Sequence, residues 1–241
     1  EAWRSVAAGQ HYVVTRGQLI GLGVTEGRIW RLLGNGTLEK ALPGVYRLGG
    51  TNRTWHQRLM EACLWGGPGA VACFRSAAAL HGLDGFGEGP IEIAVAKSRR
   101  LEARFKVHRY DVPEAQTTVI DGVPVTNAHR TLRDLLPTLS EERADRVFDN
   151  ALRMGLVSVE SMSRFVAAEK GSGRRGIDRM RQMMRERDPG YQPSSSEMNT
   201  RIRQVLLAAG SIDVGEEDVM ADEEGAFVDR GEIGFPPDWT V

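Results

Sequence analysis

Residues 15–48 constrain most tightly what this chain can fold into. Thr15 stands where a helix N-cap belongs, ahead of Leu19, Ile20 and Leu22, and Gly23 follows where that helix should close. Thr25 can then cap a second helix with Ile29, Leu32 and Leu33 on its apolar stripe and Arg28 and Arg31 off it. Gly34-Asn35-Gly36 ends this helix, and two strand-like runs separated by Pro43-Gly44 come next. Helix, tight turn, helix and hairpin in this order predict an N-terminal winged helix-turn-helix over residues 1–53. In such a module the second helix reaches base edges in the major groove, while the wing chiefly adds phosphate contacts. The candidate DNA contacts are therefore Arg28 and Arg31 on the helix, Thr25 and Arg16 toward the backbone, and Lys40 and Arg47 on the wing. Trp30 could pack beneath the helix or face outward. Two short helices and a hairpin also occur in many folds, where these arginines would be ordinary solvated surface.

Charge is what favours nucleic acid. Residues 1–60 carry eight basic side chains against three acidic ones, a balance of +5, which a phosphate backbone attracts. Residues 191–241 carry three basic against eleven acidic, a balance of −8, so the overall −1 conceals a chain polarised from basic head to acidic tail. A third class of reading follows from this polarity: a protein-interaction module whose acidic tail masks a basic partner or its own head.

With 241 residues and 41% hydrophobic content, the chain can build two or three modest cores. Its apolar runs fall short of the roughly 20 residues that span a bilayer, and no secretory signal pattern opens it, so the expectation is a cytoplasmic protein with no membrane partner. Cys63 and Cys73 lie in apolar surroundings without CxxC spacing, which predicts buried free thiols. The first residue is not Met and the last ones fall inside a strand-like run, as in a piece of something longer.

After the wing, a helix is expected from Thr54 to Leu64, then a short apolar run at Ala70–Phe74 and a helix capped by Ser76 and ending at His81-Gly82. Ile91–Val95 and Phe105–His108 alternate as half-buried strands do, and Val119–Val125 reads as a hairpin. From Arg130 onward the pattern is helical, with runs at Ser140–Met154, from Ser158, and at Arg174–Arg187, the last striped by Ile177, Met180 and Met184. The arginines of that final helix could follow a DNA backbone, but Asp178, Glu186 and Asp188 favour helix-surface pairs. The coarse result is an α+β chain: the winged head, a mixed α/β middle domain with a helical extension over residues 54–190, and a distinct tail over residues 191–241. His81, His108 and His129 have no spacing that supports catalysis, and Ser76 and Ser196 lack a GxSxG context, so no catalytic residue is assigned.

Five short motifs follow one another in order: Arg16-Gly17-Gln18-Leu19, Leu42-Pro43-Gly44-Val45-Tyr46, Arg75-Ser76-Ala77-Ala78-Ala79-Leu80-His81-Gly82, Gly122-Val123-Pro124-Val125-Thr126 and Arg130-Thr131-Leu132-Arg133-Asp134-Leu135. In this order they resemble the AbiEi-like antitoxin and transcriptional-regulator family of actinobacteria over about residues 10–190. The resemblance implies an N-terminal winged helix that binds double-stranded DNA, commonly to repress its own operon. It also implies a cognate toxin as partner, in a type IV toxin–antitoxin system. Operator, toxin and oligomeric state are not legible in these motifs.

The tail resembles the start of a PD-(D/E)XK nuclease-like domain of the very-short-patch-repair type. Ser195-Ser196-Glu197 opens an amphipathic helix, and Glu232-Ile233-Gly234-Phe235-Pro236-Pro237-Asp238-Trp239 looks like the strand and turn that carry the first metal-binding acid. The resemblance makes Glu197 and Glu232 the candidate metal ligands, with Mg²⁺ as the implied cofactor of a metal-dependent endonuclease. The sequence departs from that pattern: a glutamate stands where aspartate is usual, an extra proline follows it, and the next strand with its paired acid and lysine or glutamine is absent. Two readings remain open, an enzyme completed by residues past 241 and a remnant fold used only for binding.

Overall fold

The apolar residues of the first 48 positions face two ways, and this decides the architecture. A computed structural model describes residues 2–96, 105–169, 174–187, 219–221 and 227–230. It is a mixed α+β structure that divides into two compact units, Glu1–Leu135 and Leu136–Val241.

The first unit opens with α1 (Ala2–Ala8), β1 (Val13–Thr15), α2 (Arg16–Gly21), α3 (Glu26–Gly34), β2 (Leu38–Leu42) and β3 (Val45–Leu48). The three strands form an antiparallel sheet in the order β1-β3-β2. Side chains alternate across a strand, so neighbours face opposite sides. Val14 and Tyr46 pack with Trp3, Ala7, Leu19, Val24, Ile29 and Leu38 under the helices, while Val13 and Val45 join a second core on the other face. Leu38 and Leu42 would share a face in a regular strand. A register shift between Lys40 and Leu42 turns Leu42 into the second core instead. Ile20 and Leu22, expected in the apolar stripe of α2, are 43% and 42% exposed, and only Leu19 of that helix is buried. A six-residue helix turns one residue per turn toward the core, which leaves its other apolar side chains outside.

The second core is organised by α4 (Trp55–Gly66), capped by Thr54, whose side chain accepts from Gln57 N at 3.0 Å. Trp55, Leu59, Met60 and Cys63 on this helix meet Val13, Leu42 and Val45 on one side and Ile93, Val95, Val123 and Val125 on the other. Those last four belong to a five-stranded mixed sheet of β4 (Val71–Ala72), β5 (Glu92–Val95), β6 (Lys106–Arg109), β7 (Thr117–Ile120) and β8 (Val123–Thr126), in the order β6-β5-β4-β8-β7. All four residues of β5 are buried, not alternately exposed as its sequence suggested, because β4 and β6 flank it and both faces are covered. Between these strands, α5 (Phe74–Leu80) and α6 (Ala128–Leu135) pack on one another. Ser76 lies inside α5 and not at its cap; its Oγ accepts from Glu92 N at 2.9 Å and ties the helix to β5.

The second unit contains α7 (Glu141–Arg153), α8 (Val159–Ala168), α9 (Arg174–Arg185) and a two-stranded antiparallel pair, β9 (Val219–Ala221) and β10 (Phe227–Arg230). Ser158 caps α8 reciprocally with Ser161. In α9 the buried residues are Ile177, Met180 and Met183, with Met184 only half-buried. Arg187 is buried against Asp149 at 2.8 Å and Asp145 at 3.5 Å, Arg179 meets Glu141 at 2.5 Å, and Arg181 meets Asp178 at 3.2 Å. Acids of this unit therefore hold three arginines of the basic stretch; only Arg181–Asp178 is the helix-surface kind of pair the sequence suggested, while Arg179 and Arg187 pair with acids of α7.

Two substitutions test this packing. Leu59 is fully buried in the core that α4 shares with both sheets, so Leu59→Ala is expected to cost about 2–5 kcal/mol in denaturant unfolding of the chain. A Cβ on Gly49, just past β3, would lie 1.9 Å from the Gly36 carbonyl oxygen at the end of α3. Because that contact is backbone and cannot swing away, Gly49→Ala is expected to cost about 1–3 kcal/mol or more. A melting temperature equal to wild type would place the end of β3 away from the α3 terminus.

Candidate nucleic-acid interface

The two caps foreseen in the sequence set the orientation of α2 and α3. Thr15 Oγ accepts from Gln18 N at 3.1 Å while Thr15 N donates to Gln18 Oε1 at 2.8 Å, a reciprocal box at the start of α2. Gln18 Nε2 also donates to Gln10 Oε1 at 2.9 Å, anchoring the helix start to the segment before β1. Gly23, at φ +80°, makes the turn, and Thr25 caps α3 by accepting from Arg28 N at 3.4 Å. With its first turn fixed in this way, α3 buries Ile29 and packs Leu32 and Leu33 against the core. Arg28, Trp30 and Arg31 are exposed, Trp30 at 72%. The sequence had left the direction of Trp30 open; it faces outward.

The six candidate contact residues fall into different situations. Arg28 and Arg31 lie on the exposed surface of α3, where Arg31 Nε also reaches the Gly27 carbonyl at 3.4 Å, and Lys40 is exposed on β2. Thr25 spends its hydroxyl on the α3 cap. Arg16 forms an ion pair with Glu26, both side chains about half-exposed. Arg47 lies opposite Glu39 in the β2–β3 ladder, donates to its carboxylate at 2.6 and 2.9 Å, and has the buried Glu61 of α4 at 3.7 Å. Exposed ion pairs contribute little to stability, but Arg47 is mostly covered and links the hairpin to α4. The acids Glu26 and Glu39 are thus matched by arginines, and Arg28 and Arg31 lie on the exposed surface of α3.

With the geometry established, comparison with known proteins adds little. No family model matches the chain. No curated protein matches it either. A crystal structure of the RV2827C protein from Mycobacterium tuberculosis is similar at 18% identity and a TM-score of 0.47, over 89% of this chain and 83% of that one.

Elsewhere in the first unit, polar groups are buried in pairs. The Glu92 carboxylate accepts from His108 Nε2 at 2.7 Å and Lys106 Nζ at 3.2 Å. Burial alone would raise its pKa, but these two partners outweigh burial and hold it below the usual carboxylate range. Asp134 accepts from Tyr110 Oη at 2.9 Å and Arg130 Nε at 2.7 Å, and His81 donates Nε2–H to the Thr126 carbonyl at 2.8 Å. Cys63 and Cys73 are buried free thiols, and burial pushes the Cys63 thiol up to about 12, so it is not a nucleophile at neutral pH. The sequence offered no signal for the Glu92–His108 pair, since a glutamate in a strand ordinarily marks the solvated face. Among the described residues, no group of three or more His, Cys, Asp or Glu is placed to hold a metal ion. The candidate metal ligands Glu197 and Glu232 lie outside the described residues. No described helix is long and apolar enough to cross a membrane.

Two measurements follow from these placements. Arg47→Ala removes the cation facing buried Glu61, so it is expected to lower unfolding free energy by roughly 1–3 kcal/mol, whereas Arg31→Ala, on an exposed helix face, should change it by less than about 0.5 kcal/mol. Equal effects on the melting temperature would contradict the distinction. Burial lowers the His81 pKa from the usual 6.5, although its bond to the Thr126 carbonyl acts the other way. The unfolded state then binds more protons in that range, so stability is retained above pH 6.5 and falls as pH drops below it. His81→Gln is expected to show a shallower loss between pH 7 and 5 than wild type; parallel pH profiles would contradict this.

Proposed function

We propose that this chain is a sequence-specific DNA-binding transcriptional regulator whose N-terminal winged helix-turn-helix places α3 in the major groove. The observation that carries this reading is α3 itself: a doubly anchored helix with Arg28, Trp30 and Arg31 outward, followed by the β2–β3 hairpin as its wing. A helix of this kind fits the major groove, where arginine can pair with guanine O6 and N7. Lys40 supplies a wing cation for phosphate. Arg16, relayed through Glu26, and Arg47, held by Glu39, shape the module, and Thr25 orients α3 through its cap. The order of the five sequence motifs extends this reading to an autorepressing, antitoxin-like protein with a cognate toxin as second partner.

On a duplex selected for tight binding, Arg28→Ala or Arg31→Ala is expected to cost about 1–3 kcal/mol if the arginine reads a base, with a much smaller cost on random duplex. Equal losses on both would reassign the residue to phosphate, and no loss on either would misplace the recognition helix. Wild-type affinity should fall steeply as salt rises, because the basic head displaces counterions. Genomic fragments captured by the full chain are expected to include the region upstream of its own coding sequence. Capture confined to other loci would remove autorepression while leaving DNA binding.

A further inference from the structure

We propose that Trp30 is the residue through which α3 reads thymine, its indole packing on thymine 5-methyl groups in the major groove. This inference rests on the DNA-binding reading above and deepens it by naming a base.

Trp30 is 72% exposed, while Trp3, Trp55 and Trp65 are 2%, 3% and 4% exposed. The chain therefore buries the indole at three described positions and presents it at one, on the helix already singled out by its cap and its arginines. Residues three and four apart share a helix face, so the neighbours of Trp30 one turn away are Glu26 and Gly27 before it and Leu33 and Gly34 after it; Leu33 turns to the core and Glu26 pairs with Arg16. A Cβ added at either glycine would meet nothing within 4 Å. The two glycines leave open space beside the indole, which stands largely in solvent.

The charge around this indole selects its occupant. Exposed Arg31 is adjacent, exposed Arg28 and Lys40 belong to the same module, and the acid at the start of α3, Glu26, is neutralised by Arg16. A module that presents an exposed indole together with exposed cations matches a surface that is anionic outside and carries an apolar feature within. The major groove is such a surface: it admits an α-helix, phosphates line its rims, and the thymine 5-methyl is the apolar group it displays. Apolar wedges that part stacked bases act from the minor groove, which is too narrow for α3.

A cycle between side chain and methyl group tests the pairing. A duplex is selected from a random library with the full wild-type chain, and the thymines of its core site are replaced by deoxyuridine, which removes only the 5-methyl groups. Affinities of wild type, Trp30→Phe and Trp30→Ala are measured on both duplexes. Burying one methyl is worth about 0.8 kcal/mol, so uracil is expected to weaken wild type about fourfold per contacted base. Trp30→Ala should bind the thymine duplex more weakly and be indifferent to the exchange, with Trp30→Phe intermediate. If wild type binds duplex with steep salt dependence but the exchange costs nothing, or costs all three proteins equally, the thymine assignment is overturned and Trp30 faces another partner, such as a protein. If wild type binds no duplex at all, the regulator reading itself fails, a result distinguishable from the first.

Discussion

The first unit depends on α4 being apolar on more than one side. Trp55, Leu59, Met60 and Cys63 are shared between the small antiparallel sheet of the head and the mixed sheet that follows. A helix that lies between two sheets cannot be removed from either without exposing a core, so the head and the mixed sheet are parts of one compact unit. The end of the wing pattern at residues 53/54 separates two patterns of sequence, and the compact units divide after Leu135. The contacts around the seam follow the same logic. Gln57 of α4 donates to the His11 carbonyl at 3.1 Å, and His11 Nε2 donates to the Asp121 carbonyl at 2.6 Å, joining α4, the segment before β1 and the turn between β7 and β8.

This arrangement gives the proposed reading head a rigid base. The sheet of the head has helices α1–α3 over one face and α4 under the other, so α3 is held from below by Ile29, Leu32 and Leu33 and at its start by Thr25. Preorganised side chains lose less conformational entropy when a partner orders them, a cost that otherwise subtracts directly from affinity. The ion pairs contribute to the same end: Arg47 joins β2 to β3 and approaches α4, and Arg16 joins the starts of α2 and α3. Arginines that looked equivalent in sequence thus divide between holding the module together and presenting charge outward.

Much of the local structure was legible because it depends on neighbours in sequence. Thr15 and Thr25 cap helices as their spacing indicates, helices start at Thr54 and Ser158 where the patterns change, and the hairpin with Pro43-Gly44 and the strands around residues 92–126 form where the patterns place them. What was not legible depends on tertiary context. The burial of both faces of β5, the turning of Leu42 into the second core, and the position of Ser76 inside α5 arise from partners far along the chain. The site divides the same way. Helix periodicity placed Arg28 and Arg31 outward, but whether Trp30 faced in or out depended on Ile29 filling the core position, and the fate of Arg16 and Arg47 depended on acids 10 and 8 residues away.

The central claim is that α3 enters the major groove, and chemical footprinting on a selected duplex tests it most directly. Dimethyl sulfate methylates guanine N7 in the major groove and adenine N3 in the minor groove, so one reaction reports on both. With the full chain bound, protection is expected at guanine N7 over one helical turn, lost with Arg31→Ala at the base that this arginine contacts. Protection confined to adenine N3, with guanine N7 fully reactive in the bound complex, would contradict the account and place the protein in the minor groove.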